Sequence, residues 1–185
     1  FAQRADRCLV PAPSEEKVSW KQALEQPDDW HGSAEAIRIA DNVLLYQRDS
    51  GGWPKNKNMA KVLSEDEKNK LFAEKTTEIG ATIDNGATRT QMRYLAKVYQ
   101  ASKHARFKEA FLSGLQYLLK AQYPNGGWPQ YYPIRKGYYE HITFNDNAII
   151  GVMTLFRAFI EKNSMYAFLD DDTRQNVERA YHKGL

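Results

Sequence analysis

Gln47-Arg48-Asp49-Ser50-Gly51-Gly52-Trp53-Pro54-Lys55 returns 75 positions later as Gln122-Tyr123-Pro124-Asn125-Gly126-Gly127-Trp128-Pro129-Gln130. The Gln, the Gly-Gly-Trp-Pro block and the spacing between them are unchanged. The helices expected upstream keep the same register, Ala40 aligning with Leu115 and Leu44 with Leu119. A second echo, 61 positions apart, sets Thr82-Ile83-Asp84-Asn85-Gly86-Ala87 against Thr143-Phe144-Asn145-Asp146-Asn147-Ala148. Each unit therefore reads helix, Gly-Gly-Trp-Pro loop, Thr-x-Asx-Asx step, helix. One helical hairpin cannot bury its apolar stripe alone, so repeated hairpins stack side by side or curve into a ring. The expected fold is all-α, an array of repeated helical hairpins that would need more hairpins than these to close a ring.

Local signals agree with that reading. Ser33 is placed to cap a helix carrying Ile37, Ala40 and Leu44 on one face. Ser64-Glu65-Asp66-Glu67 reads as a capping box opening a short helix through Leu71-Phe72-Ala73. Met92, Leu95, Val98 and Tyr99 recur at helical spacing after Asp84-Asn85, and Ala148, Val152, Leu155 and Phe159 do so after Asn145-Asp146. Between them, Phe107, Phe111, Leu115 and Leu118 mark a helix that breaks at Pro124-Asn125-Gly126-Gly127. A last helix is expected near Asp172-Thr173, with Val177, Ala180 and Tyr181. No stretch alternates with period two, so almost no sheet is expected. The predicted division is a lead-in segment at 1–29 and a helical domain over 30–185.

Composition narrows the function classes. With 185 residues, 42% of them hydrophobic, the chain can bury a core of its own. Its net charge of +3 is compatible with an acidic ligand, but no Lys/Arg run interleaved with aromatics points to nucleic acid. Cys8 is the single cysteine, too few for a disulfide framework or a thiolate zinc site. No apolar run reaches the ~20 residues of a membrane span. The start Phe1-Ala2-Gln3 reads as processed or trimmed, which leaves secretion open.

Three places could carry chemistry. The Gly-Gly-Trp-Pro loops are either repeat-linking turns with a packing Trp, or loops that turn Trp53 toward a cleft. Lys55 and Asn56, which follow the first loop, are harder to explain as packing. The Asx steps at helix starts are either plain N-caps or, if stacking brings both to one end of the bundle, a converging set of two carboxylates and two amide oxygens. Such a set suits calcium and is too oxygen-rich for zinc. The stretch from Gln130 to Tyr139 adds four tyrosines, Arg135 and Lys136 just before the second step. Arg can bind a carboxylate through two hydrogen bonds, and Tyr can stack on a sugar.

Taken together, the first Gly-Gly-Trp-Pro-Lys-Asn56 loop, Ala81-Thr-Ile-Asp-Asn-Gly-Ala-Thr88, the stretch Tyr117–Pro133 and His141-Ile-Thr-Phe-Asn-Asp146 resemble the tenth family of polysaccharide lyases, the pectate lyases. The resemblance spans about Trp30 to Phe159. It implies an incomplete α/α toroid that cleaves polygalacturonate by calcium-assisted β-elimination, in a protein secreted or periplasmic and monomeric when its domain is complete. It implies Asp84 and Asp146 as metal-site aspartates, and Trp53, Lys55, Asn85, Arg135, Tyr138 and Asn145 as substrate-binding residues. The arginine that takes the C5 proton lies, in the family, in the second half of the domain. The catalytic base is therefore expected beyond Leu185, and Arg135 is the in-chain substitute considered. Three other readings stay open: a non-catalytic polygalacturonate-binding fragment, an α/α-toroid glycoside hydrolase using Asp84 and Asp146, and a purely structural helical repeat.

Overall fold

The computed structural model describes residues 18–76 and 80–185. Cys8 and the chain start lie outside the described residues. Among the described residues seven α-helices form: α1 (Trp20–Glu25), α2 (Ala34–Tyr46), α3 (Glu65–Glu74), α4 (Arg89–Ser102), α5 (Ala105–Ala121), α6 (Ala148–Ile160) and α7 (Asp171–Lys183). The caps are those the sequence spells. The Ser33 hydroxyl accepts from the Ala36 N–H, and Ser64 and Glu67 close a reciprocal capping box. At α7 the cap is Asp170, two residues ahead of the expected start. No strand forms among the described residues, and none of their helices is long and apolar enough to cross a membrane.

α4 packs against α2 and α5, and α6 against α7, so the helices form stacked hairpins. The two Gly-Gly-Trp-Pro loops are copies in detail. Gln47 Nε2 donates to Gly51 O at 2.8 Å and to Ala110 O of α5 at 2.9 Å. Gln122 Nε2 donates to Gly126 O at 2.9 Å and to Ala180 O of α7 at 2.8 Å. The Trp53 indole N–H donates to Val43 O, and that of Trp128 to Leu118 O, each ten residues upstream. Gly51 and Gly126 have φ of +97° and +93°, and a Cβ on either would run into a backbone carbonyl, that of Ser113 in α5 or Lys183 in α7. Glycine is required there twice over, by backbone angle and by space. α7 thus receives the second loop as α5 receives the first.

The core runs through every hairpin. Trp53, Trp128, Phe107, Phe111, Phe156 and Phe159 are fully buried. Phe111 of α5 lies 5.6 Å from Phe159 of α6, ring centre to ring centre, and Gly114 leaves the room that Trp53 fills. α1 belongs to this body as well: Ala23 is fully buried and Trp20 meets Tyr94 edge to face at 5.1 Å. Part of the expected lead-in is therefore helical and packed.

Isolated antiparallel bridges pair Pro54 with Ala81, Thr82 with Tyr131 and Pro129 with Ile142. They are too short for the sequence to betray. They nevertheless lay the first loop, the first Asx step, the second loop and the second Asx step side by side.

Candidate functional site

The two Asx steps are neighbouring tight turns, Asp84–Gly86 and Asn145–Asn147, packed against each other at the N-terminal ends of α4 and α6. Neither step caps its helix. The position before α4 is Thr88 and that before α6 is Asn147, and neither donates a side-chain cap. The steps instead share one backbone form: Ile83 and Phe144 have φ of −99° and −98°, Asn85 and Asp146 have φ of 49° and 52°. Asn and Asp are the side chains that tolerate that left-handed region best. The register makes Asp84 the equivalent of Asn145, and Asn85 the equivalent of Asp146. Acid and amide are exchanged between the turns, so the two carboxylates are not alike.

Asp84 is buried, at 3% exposure, and heavily engaged. Its Oδ2 accepts from Lys55 Nζ and from Gln130 Nε2, the latter at 2.5 Å. Its Oδ1 accepts the Asn85 N–H at 2.9 Å. Lys55 and Gln130 hold the same position in the two copies of the loop, so the repeat aims both at one oxygen. Burial alone would push the Asp84 carboxyl up; the Lys55 and Gln130 hydrogen bonds, the Lys55 charge and the Asn85 N–H together hold it below the usual carboxylate range. The hydrogen bond to Asp84 correspondingly raises the Lys55 ammonium against its partial burial. Asp146 is exposed on the adjoining turn.

Thr82 and Thr88 brace this turn from beneath. Thr82 Oγ1 donates to Gln130 O at 2.5 Å and accepts the Asp84 N–H at 3.1 Å. Thr88 Oγ1 donates to Thr82 O at 2.8 Å and accepts the Trp53 N–H at 3.1 Å. Thr88 adopts φ of 65°, a costly angle for a β-branched residue, and is held there by those bonds and by complete burial.

Beyond the turns lies an aromatic ladder. Tyr131 meets Tyr139 at 5.3 Å and Tyr139 meets Tyr138 at 5.8 Å, both edge to face. The Arg135 guanidinium sits 4.5 Å over Tyr139, and Asn145 Nδ2 donates to the Tyr138 hydroxyl at 3.0 Å. Tyr138 is 64% exposed. Asn85 Nδ2 donates to Asn56 Oδ1 at 3.3 Å. Lys55, Asp84, Asn85, Arg135, Tyr138, Asn145 and Asp146 therefore gather at one end of the helices, Asp84 beneath the surface and the others at it.

Trp53 does not join them. It is fully buried, its indole tied to α2, and it offers no face to a ligand; the glycines turn the ring inward and the loop alone reaches the surface. Leu185 marks only the position beyond which the family resemblance places the base. It stands exposed after Gly184, the residue that closes α7, and its aliphatic side chain can neither take a proton nor hold a metal. Gln130 and Tyr131 fall inside the stretch the sequence marks as able to carry chemistry, without a role of their own, and Thr82 and Thr88 are not marked. Gln130 was within reach, since it occupies the Lys55 position of the second loop; the threonines carry no signal apart from their motif.

The donors at this end, two carboxylates and two side-chain amides, are all hard oxygens and suit calcium in kind. Gln130 Oε1 adds a buried acceptor with no partner beside Asp84. No three of His, Cys, Asp and Glu gather among the described residues, so a bound cation would draw on amide, water and ligand oxygens to reach about six to eight.

These features define the class: an α/α-hairpin protein with an acid-and-amide candidate site flanked by edge-to-face tyrosines at one end of its helices. The chain belongs to the pectic acid lyase family, whose model matches residues 47–185. It is similar in structure to a family 10 polysaccharide lyase from Cellvibrio cellulosa, with a TM-score of 0.69 and 31% identity over 87% of this chain and 46% of that one. An aspartate-to-alanine mutant of that lyase in complex with trigalacturonic acid is similar too, with a TM-score of 0.68 and 30% identity over 85% of this chain and 47% of that one. The chain thus spans about half the length of these solved relatives. No curated protein matches it.

Proposed function

We propose that this chain forms the calcium- and substrate-holding part of a pectate lyase domain, an α/α toroid acting on polygalacturonate by β-elimination. The observation that carries the reading is the pair of adjoining Asx turns, one carboxylate buried against Lys55 and Gln130, the other exposed. Asp84 and Asp146, with the amide oxygens of Asn85 and Asn145, would hold calcium. Bound there, the cation would draw charge from the C6 carboxylate of a uronate and so acidify the C5 proton. Lys55 limits the local negative charge, and Arg135 and the exposed Tyr138 are placed to bind a uronate carboxylate and a sugar face. The proton acceptor is an arginine that the family resemblance assigns beyond Leu185, outside these residues. Loss of that proton breaks the C4–O bond and leaves an unsaturated uronate. A polymer substrate found outside cells fits a secreted or periplasmic protein.

Asp84, held below the usual carboxylate range, could serve a glycoside hydrolase only as the ionised partner and not as the acid. A polygalacturonate-binding module remains the second reading, favoured by Arg135, the arginine at the site, lying stacked over Tyr139. The longest natural form of the protein, mixed with polygalacturonate and calcium, should release product with the ultraviolet absorbance of a new double bond. Chelator, Asp84→Ala and Asp146→Ala should each abolish it. Absence of that absorbance with calcium present overturns the lyase reading; oligogalacturonate binding measured by calorimetry without turnover favours the module.

A further inference from the structure

A second polar site lies in the groove between α4 and α6. Arg89, the first residue of α4, and Arg93, one turn later on the same face, line a pocket of about 410 Å³ together with Asn147, Gly151 and Thr154. The lining contains no Asp or Glu. Neither arginine forms an ion pair among the described residues. The Arg89 Nε is buried with no hydrogen-bond partner. Its guanidinium rests on bare backbone at Gly151, where an added Cβ would lie 2.5 Å from Nε and 2.6 Å from Cζ. The seat exists because position 151 has no side chain.

Two like charges four residues apart on a helix repel, and a buried guanidinium N–H without an acceptor is costly. Burial first, then the Arg93 charge, lowers the affinity of Arg89 for its proton. An oxyanion in the pocket would offset the like-charge repulsion: a planar carboxylate or a phosphate can take two parallel N–H bonds from the terminal nitrogens of a guanidinium. The pocket opens beside Asn147, the residue after Asp146, so an acidic chain held at the Asx turns has a neighbouring place for its next charge.

We propose that Arg89 and Arg93 form an oxyanion-binding site in the α4–α6 groove, distinct from the Asx turns. Its ligand is either a uronate carboxylate of the polymer or a free inorganic oxyanion. The first source rests on the pectate reading above; the pocket does not.

Calorimetry without calcium, with chelator present, separates the two. Trigalacturonate and inorganic phosphate serve as probes, titrated into wild type, Arg93→Glu and Arg89→Gln. Arg93 is exposed, so Arg93→Glu keeps the fold and leaves the test standing if Arg89→Gln unfolds. Either variant should weaken the bound anion about tenfold or more, the worth of one charge-assisted hydrogen bond. Gly151→Ala should do the same by evicting Arg89. Weakening of trigalacturonate assigns the site to the polymer; weakening of phosphate alone keeps the site and removes the polymer as its source. Equal affinity for both probes in wild type and Arg93→Glu overturns the proposal. So does lack of binding to the longest natural form of the protein, because a carboxylate from elsewhere in the chain would then already fill the pair. Activity is not the readout, so failure of the lyase assay and failure of this site are told apart.

Discussion

Asp84 shows how a motif residue acquires its role from residues distant in sequence. Lys55 lies 29 positions before it and Gln130 46 positions after it, yet both donate to one oxygen. A carboxyl held below its unfolded value stabilises the fold above about pH 4 and ceases to do so as pH falls through the folded value. The raised Lys55 contributes below about pH 10.4, and that contribution is lost as pH rises through its folded value. With chelator present, Asp84→Asn should therefore be less stable than wild type by about 1–3 kcal/mol at neutral pH in urea denaturation. The gap should narrow below about pH 4 and again in strong alkali. Gln130→Ala should destabilise as well, and the double variant should fall short of the sum by about 0.5–3 kcal/mol, since both changes remove the same bond. Full additivity would mean that Gln130 does not hold Asp84. At this scale the sequence identified the acids and amides but overrated Trp53. A tryptophan between glycines and a proline has the same local spelling whether its ring faces a cleft or a core.

At the scale of the element, the Gly-Gly-Trp-Pro loop is a clamp rather than a binding surface. Its glutamine fastens it to a helix further along the chain, α5 or α7, its tryptophan to the preceding helix, and its first glycine allows the backbone of α5 or α7 to approach. Gly51→Ala and Gly126→Ala should each cost about 3 kcal/mol or more, a strained angle compounded by collision with a carbonyl. Gly80→Ala offers the control: φ is +115° but nothing lies within 4 Å, so only the angle is charged, at about 1–2 kcal/mol. Thermal melts of the three variants decide whether close approach or backbone angle governs. The helices themselves were legible because their apolar residues recur at 3.6-residue spacing and their caps are spelled locally at Ser33 and Ser64. In the sequence the Asx turns stay open between caps and a converging set because Asp and Asn suit caps and left-handed turns equally, and only φ separates the two.

Across the whole molecule, the core links hairpin to hairpin: Phe111 of α5 meets Phe159 of α6, and Trp53 fills space left by Gly114 of α5. Unfolding should therefore be a single transition. Tryptophan fluorescence of Trp53→Phe and of Trp128→Phe should each share its urea midpoint with the far-ultraviolet circular dichroism of the same variant. Separate midpoints would show that the repeats fold independently. The repeat offsets, the all-α pattern, the family and the residue types of the site were determined by the sequence alone, because each is a matter of order and spacing along the chain. Tertiary structure alone decided that Asp84 is buried and Asp146 exposed, that Trp53 faces inward, that Gln130 joins the site, and that Arg89 rests on Gly151 with its Nε unsatisfied. Those outcomes depend on which segments the short bridges between loops bring side by side, and such contacts leave no periodic trace in the residues that make them.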